Sequence, residues 1–307
     1  MNSKLMLPVL YWQTSLLVSK EASTGMDHRA MCEISEILKG KSLEEVHEQA
    51  ARDFPYIEQL VEGASLFLKR NGSLMHGTGI DLGSGTGVGA CILSKTEKIT
   101  KIFALEISEQ FVIQIMPKVF EDFNADTKKI QRVVGDFNKL ELPDNSLDFI
   151  FDLDSLHHSE DLNVTLQECY RVLKPDGAII MIERGWDDKI TREELEEKLD
   201  QELSQKLKEK YGISSKMKFT RRDWGEHEYR LKDWEGYFSA NGFSLNIFSQ
   251  KHPPFLNSIF LKYSTFHWSI ENAVKRYQRG LTRHTIYGFN KNRRLMIAQK
   301  QPNIIQK

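Results

Sequence analysis

The sequence predicts an α/β fold with a doubly wound, mostly parallel sheet, and two observations carry that prediction. The first is the segment 80–87, Ile-Asp-Leu-Gly-Ser-Gly-Thr-Gly, in which an apolar stretch runs into three alternating glycines. The second is the regular alternation of short apolar runs with helical stretches through residues 77–183. Such alternation is typical of parallel strands joined by right-handed crossovers.

The predicted strands are short and each is bounded by turn residues. The first ends before Gly83, and later strands are predicted at residues 101–106, 130–134, 147–153, 178–183, 243–249 and 294–299, with a turn at 173–177. Helical spacing of apolar residues begins at Leu43, and Pro55 is predicted to break that run into two helices. A charged helix capped by Thr191 is predicted to run to Tyr211, and another covers 231–240.

The glycine-rich turn predicts a ligand that approaches the backbone closely. Glycine is needed where φ is positive or where a Cβ would collide with the ligand. Asp81 stands two residues before the first glycine, where its carboxylate can meet a polar group on the turn. The G-x-G-x-G rhythm differs from the dinucleotide pattern G-x-G-x-x-G, although a frame beginning at Gly85 gives a weak match through Ala90. The turn alone therefore leaves both ligand classes open.

Glu106 is the second predicted ligand contact. It ends an apolar strand about 20 residues after the turn, the position from which a carboxylate binds ribose hydroxyls in folds of this class. Carboxylates bind such hydroxyls by charge-assisted hydrogen bonds, which are stronger than neutral ones.

Five motifs in this order resemble the class I S-adenosylmethionine-dependent methyltransferases, and in particular the ubiquinone/menaquinone-biosynthesis branch. They are the Asp-x-Gly-x-Gly-x-Gly loop, Glu106, Gly135-Asp136, Leu156-His157-His158 and the segment 171–177 (Arg-Val-Leu-Lys-Pro-Asp-Gly). The resemblance covers about residues 77–183. It implies a seven-stranded Rossmann-like sheet with an antiparallel last strand. The residue patterns add a helical N-terminal extension, and the long segments 184–241 and 252–292 are predicted helical insertions that depart from the family's pattern.

The resemblance also implies a cofactor, S-adenosyl-L-methionine, and a set of residues that contact it. Asp136 would accept from the adenine amino group and Phe137 would donate its backbone N–H to a ring nitrogen. The other contacts implied are Asp81, Gly83, Ser84, Gly85, Thr86, Gly87, Glu106, Ile107, Asp152 and Leu153. His157 and His158 would border the methyl acceptor, where an imidazole can take a proton. No metal is expected. Arg184 and Trp186 are candidates for the acceptor pocket, and Tyr11 and Trp12 for a closing segment.

Composition is that of an ordinary globular enzyme, with 40% hydrophobic and 28% charged residues in 307. Three separated cysteines indicate a reducing, cytoplasmic location and no disulfide framework. No apolar run approaches the length of a membrane span. The net charge of −1 conceals a basic segment, because residues 251–307 carry eleven Lys and Arg against the single acid Glu271.

Three regions are therefore predicted: a helical extension or lid (1–76), a cofactor-binding core (77–183), and the last two strands with insertions that cap an acceptor site (184–307). The leading hypothesis is in-line methyl transfer to O, N or C of a small or medium-sized organic acceptor. One alternative is an RNA methyltransferase that uses the basic segment. Others are a non-catalytic partner protein and a nicotinamide-dependent enzyme, the last disfavoured by the glycine rhythm. The oligomeric state stays open.

Overall fold

The computed structural model describes residues 6–12, 43–73, 75–210, 213–248 and 293–301. Within these ranges the strands are β1 Leu10–Tyr11, β2 Gly77–Leu82, β3 Ile99–Glu106, β4 Ile130–Val134, β5 Leu147–Leu153, β6 Leu173–Arg184, β7 Phe243–Phe248 and β8 Arg293–Lys300. The α-helices are α1 Leu43–Arg70, α2 Val88–Ser94, α3 Met116–Asp122, α4 Leu162–Val172, α5 Arg192–Leu199, α6 Gln205–Lys210 and α7 Leu231–Ala240. A π-helical turn covers Phe111–Ile115, and 3₁₀ turns cover Leu156–His158 and Arg222–Trp224.

The strands form a single sheet in the order β1-β4-β3-β2-β5-β6-β8-β7. β8 is antiparallel to both of its neighbours, and the other pairings are parallel. The predicted mostly parallel sheet with an antiparallel last strand is confirmed. The edge strand β1 was not predicted and makes eight strands in the described part of the chain. Its two residues are too few to produce an alternation signal.

Apolar side chains cover both faces of the sheet, as a doubly wound fold requires. On one face, α1, α2 and α3 pack on alternate residues of the central strands, such as Phe149, Phe151 and Ile180. On the other face, α4 and α7 pack on the intervening residues, such as Ile150 and Met181. Because β1 to β6 pair in parallel, their carboxyl ends meet at one edge of the sheet.

The predicted break at Pro55 is wrong, because α1 continues through it as one helix of 28 residues. A proline inside a helix costs about 3 kcal/mol or more. Phe54, Ile57 and Val61 lie on both sides of the break point and are buried in the same cluster. Each such side chain contributes about 1.5–3 kcal/mol when buried, so packing holds the two halves in line.

Two further boundaries differ from prediction. The charged stretch begins at the predicted cap, where Glu194 N donates to Thr191 Oγ1 at 3.1 Å, but it forms two helices. Between them Leu203 N donates to Phe219 O, and Leu203 packs in a small cluster of its own with Ile213 and Phe219. In β6, the segment predicted as a turn is a bulge within the strand, since Leu173 already pairs with Leu147.

The predicted insertion at residues 252–292 lies outside the described residues, as does nearly all of the basic segment. Among the helices that are described, none combines the length and the apolar character needed to cross a membrane.

Candidate functional site

The glycine-rich turn connects β2 to α2 at the carboxyl edge of the sheet. The chain runs from β2 towards β3 and β4 on one side and returns to β5 and β6 on the other. The tips of β2 and β5 therefore flank the switch point, where open α/β sheets bind their ligands. Ser84 N donates to Leu105 O at 2.8 Å, which fastens the turn to the end of β3.

The three glycines of the turn are required for different reasons, although each has a positive φ. A Cβ on Gly83 would lie 2.5 Å from Ser155 Cβ, and one on Gly87 would lie 2.6 Å from Phe120 Cε1. Packing inside the protein explains both. A Cβ on Gly85 would meet nothing nearer than Gly83 O at 4.0 Å, so Gly85 faces open space.

Glu106 lies against this open part of the turn. Its Oε2 accepts from Gly85 N at 2.9 Å, and its Oε1 accepts from Ser108 N at 3.0 Å. Sequence separation placed Glu106 at a strand tip, and the structure places its carboxylate on the turn itself. Its contact with a ribose stays a prediction.

Asp136 and Phe137 follow the neighbouring strand β4. Asp136 Oδ1 accepts from both the backbone N and the Nδ2 of Asn138, each at 2.8 Å, so the carboxylate shapes its own turn. The Phe137 ring approaches the glycine turn, since a Cβ on Gly83 would lie 3.9 Å from its Cε1. Both residues are thus brought next to the turn and Glu106. Half-buried residues complete the set: Thr86, Ile107 and Leu153.

Asp81 lies beneath the turn with its side chain almost fully buried. Its Oδ2 accepts from Ala90 N at 2.7 Å, which holds the first turn of α2, and Gly89 leaves the room this contact needs. Burial raises the pKa of Asp81 to about 7; the hydrogen bonds from Ser84 and Ala90 oppose this rise, and the charge of Glu106 adds to it.

Replacing Asp81 with asparagine is expected to flatten the pH dependence of stability. A carboxyl whose pKa is higher in the folded state stabilises the fold below its unfolded pKa and loses that contribution as the pH rises through its folded pKa, here about 7. The free energy of unfolding of wild type should therefore fall relative to Asp81→Asn between about pH 4 and 7, by up to about 4 kcal/mol. Urea unfolding across this range measures it, and a difference that does not vary with pH would contradict it.

Asp152 ends β5 as predicted, but its side chain does not face the crevice. The residue is fully buried, and its Oδ1 accepts from Leu156 N at 2.9 Å and contacts Ser155 Oγ. The predicted contact of Asp152 with a cofactor stays a prediction. β5 alternates faces, and this carboxylate points into the α4 face, where it holds the turn that carries the two histidines.

The two histidines lie beside each other at the tips of β5 and β6, with ring centroids 4.1 Å apart. His157 Nδ1 lies 2.9 Å from both carboxylate oxygens of Glu183. His158 Nδ1 lies 3.1 Å from Gly225 O. His157 is 2% exposed and His158 is half-buried. Both predicted residues lie at the carboxyl edge of the sheet, beneath the segment 220–230.

A buried ionic network around Arg184 is a feature of this site that the sequence did not predict. The guanidinium contacts His157 Nε2, Glu226 and Glu228, and Arg221 contacts the same two glutamates. The spacing of two glutamates could have predicted part of this network. Glu226 and Glu228 are two residues apart, so in an extended segment they project to the same side. Trp186 joins the network through Nε1 and Glu228.

Among the residues that the structure describes, two groups of three have ligand atoms close enough to hold a metal ion, within 4.8 Å of one another. One is His157, His158 and Glu226, and the other is Asp154, His157 and Glu183. In the first group, the Arg184 guanidinium contacts both His157 Nε2 and Glu226 Oε2. That cation takes up the donor atoms that a metal would need.

The N-terminal aromatic pair divides between two roles. Trp12 is 5% exposed and belongs to the core, where it packs near Phe103 and under Gly135. The prediction that Trp12 closes over a ligand is wrong, because the edge strand β1 turns its indole into the sheet face. Tyr11 is exposed and donates its hydroxyl hydrogen to Glu109 Oε1 at 2.6 Å.

Comparison with known families identifies the strand–helix core. A family model described as a methyltransferase domain matches residues 80–181, which run from β2 to β6 and include the glycine turn, Glu106 and Asp136. Residues 80–181 are therefore similar to a methyltransferase domain. The resemblance seen in the sequence is thereby confirmed at this level, and the ubiquinone-like branch stays a prediction.

Several curated proteins are similar to part of this chain. Sterol 24-C-methyltransferase of Pneumocystis carinii is 32% identical over 100 residues, which are 33% of this chain and 26% of that protein. Phosphoethanolamine N-methyltransferase of Plasmodium falciparum is 27% identical over 118 residues, 36% of this chain and 42% of that protein. The chain thus spans less than half the length of these relatives.

Among solved structures, a putative sarcosine dimethylglycine methyltransferase from Galdieria sulphuraria matches with a TM-score of 0.47 and 23% identity. The match covers 76% of this chain and 80% of that one.

Proposed function

We propose that this chain is an S-adenosylmethionine-dependent methyltransferase that acts on a small or medium-sized organic acceptor. The observation that carries the proposal is the pairing of Gly85 and Glu106. Gly85 has no side chain and faces open space, and its N–H donates to Glu106 Oε2 at 2.9 Å. A backbone open to close approach beside a carboxylate suits an amino-acid group next to a ribose.

The surrounding residues fit the cofactor in the order of the strands. The turn from Gly83 to Gly87 would hold the amino-acid portion, Glu106 the ribose hydroxyls, and Asp136 with Phe137 the adenine. When bound, the cofactor supplies a methyl group on a sulfonium, which an acceptor atom attacks in line. The protein's contribution is to orient the two reactants and to exclude water.

The acceptor side of the site is proposed to lie at the tips of β5 and β6. His157 and His158 stand there, and the segment 220–230 covers them. The similar proteins are named for transfer to carbon in a sterol, to oxygen in malonyl-acyl carrier protein and to nitrogen in phosphoethanolamine. This range supports small-molecule acceptors as a class and leaves the methylated atom open. The predicted regions 1–76, 77–183 and 184–307 keep their proposed roles as extension, core and cap.

A binding and labelling experiment tests the proposal. Calorimetry should detect binding of S-adenosylmethionine and no binding of NAD. Incubation with methyl-labelled cofactor and fractionated extract should place label in small metabolites. Label in RNA would favour the RNA hypothesis, and tight binding without transfer would favour a non-catalytic partner protein. Binding of NAD in place of S-adenosylmethionine would overturn the proposal.

Gly85→Val sharpens this test. Valine at φ +51 costs about 1–2 kcal/mol of backbone strain, and its methyl groups enter the space above the turn. We expect a loss of cofactor affinity of roughly 100-fold or more, which corresponds to about 3 kcal/mol. The matched control is Gly72→Val, at φ +80 with nothing within 4 Å and far from the site. Equal affinity in both variants would contradict the placement.

A further inference from the structure

Glu183 contacts His157 at two atoms, the ring Nδ1 and the backbone N. Both carboxylate oxygens lie 2.9 Å from the imidazole Nδ1, and Oε1 also accepts from His157 N at 3.2 Å. Arg184 N donates to the other oxygen at 2.9 Å. On the far side, His157 O accepts from both N and Nδ1 of His227, at 3.1 and 3.0 Å. The contacts at Nδ1 orient the ring, and the others hold the backbone of His157.

These contacts select one tautomer of the imidazole. Because burial raises the pKa of Glu183 to about 7, Glu183 is a carboxylate above that pH. A carboxylate only accepts hydrogen bonds, so in that range Nδ1 carries the hydrogen that faces Glu183. A guanidinium only donates, so the contact of Arg184 Nη2 with Nε2 requires a lone pair on Nε2. Both neighbours thus agree on a neutral ring whose basic nitrogen points away from Glu183.

We propose that Glu183 is a positioning residue that holds His157 as an Nε2 base for the proton of the methyl acceptor. The inference rests on the proposed function. As the acceptor atom forms its bond to the methyl carbon, the carbon–sulfur bond breaks and its electron pair stays on sulfur. The proton of the acceptor X–H passes to Nε2, where X–H replaces the Arg184 contact, and it leaves to solvent after product release.

The charges around the ring decide the direction of the effect. Glu183, and Glu226 at 3.7 Å from Nε2, favour the imidazolium, while Arg184 opposes it. Among the described residues, the ionisable groups close to the ring include Asp154, His158, Glu183, Arg184 and Glu226, and His227 contacts the backbone carbonyl of His157. Burial raises the pKa of Glu183 to about 7, an effect that Arg184 opposes. Losing the Glu183 charge should therefore lower the pKa of His157.

Nitrogen-15 NMR of the histidine rings tests the tautomer on the protein without cofactor or acceptor. Above pH 7, where Glu183 is ionised, wild type should show hydrogen on Nδ1 and a lone pair on Nε2 at His157. Glu183→Gln should give mixed tautomers and a lower His157 pKa, while Glu226→Gln, which removes a carboxylate from the opposite side of the ring, should keep the tautomer. His157→Asn assigns the signal and retains an N–H towards Glu183. Hydrogen on Nε2 in wild type, or an unchanged tautomer and pKa in Glu183→Gln, would overturn the proposal.

Kinetics supply the second readout, with the extract fraction that accepts label from methyl-labelled cofactor. Glu183→Gln should lower kcat by roughly tenfold or more with unchanged KM for S-adenosylmethionine, and should shift the acidic limb of the pH profile downward. A normal pH profile in a variant with altered tautomer would refute the role of His157 as base. Absent cofactor binding would instead refute the proposed function, so the two failures are distinguishable.

Discussion

Replacing Glu106 with alanine is expected to weaken S-adenosylmethionine binding by roughly 100-fold. The change removes a carboxylate that is proposed to bind two ribose hydroxyls, and charge-assisted hydrogen bonds contribute about 1.5–3 kcal/mol each. It also removes the acceptor of Gly85 N, so the turn keeps its Ser84 N to Leu105 O hydrogen bond but loses the one made by Gly85. Isothermal calorimetry with the cofactor measures the affinity directly.

Glu109→Gln is the matched control for this substitution. Glu109 lies three residues further on, accepts from the Tyr11 hydroxyl, and is exposed. Removing the charge of Glu109 should change the affinity for S-adenosylmethionine by less than about threefold, since solvent-exposed charges contribute about 0–1 kcal/mol. Comparable losses in the two variants would mean that general charge, and not the carboxylate on the turn, determines binding.

Replacing Arg184 with alanine is expected to destabilise the fold by about 3–5 kcal/mol. Its guanidinium is largely buried and contacts Glu226 and Glu228, and removing it leaves two buried carboxylates that Arg221 compensates only in part. The carboxylates at positions 226 and 228 are each at most 8% exposed, so water cannot replace the lost partner without rearrangement. Chemical denaturation at neutral pH measures the change.

Arg222→Ala tests whether burial is the cause. Arg222 also pairs with two carboxylates, Glu196 and Asp200, at 2.7 and 2.8 Å, but all three side chains are well exposed. Exposed pairs contribute about 0–1 kcal/mol, so this variant should stay near wild type. If both arginine variants lost the same stability, burial would not explain the Arg184 network.

Local patterns in the sequence were sufficient to predict the strand–helix core. Alternating strands and helices specify a parallel sheet through handed crossovers, and that sheet brings the turn at Gly83–Gly87, Glu106 and Asp136 to one edge. These residues follow strands that are adjacent in the sheet. Their approximate positions therefore depend on topology alone, which a pattern of single residues can encode.

Contacts between distant segments were decided only by the tertiary structure. The burial of Asp152, the continuity of α1 through Pro55 and the core position of Trp12 each depend on which face another element covers. The same holds for Glu183 and His157, 26 residues apart, and for Arg184 with Glu226, 42 residues apart. The sequence determined which chemical groups end the strands. Packing determined which of them face the crevice, because the energy of burying a charge depends on partners that lie far away along the chain.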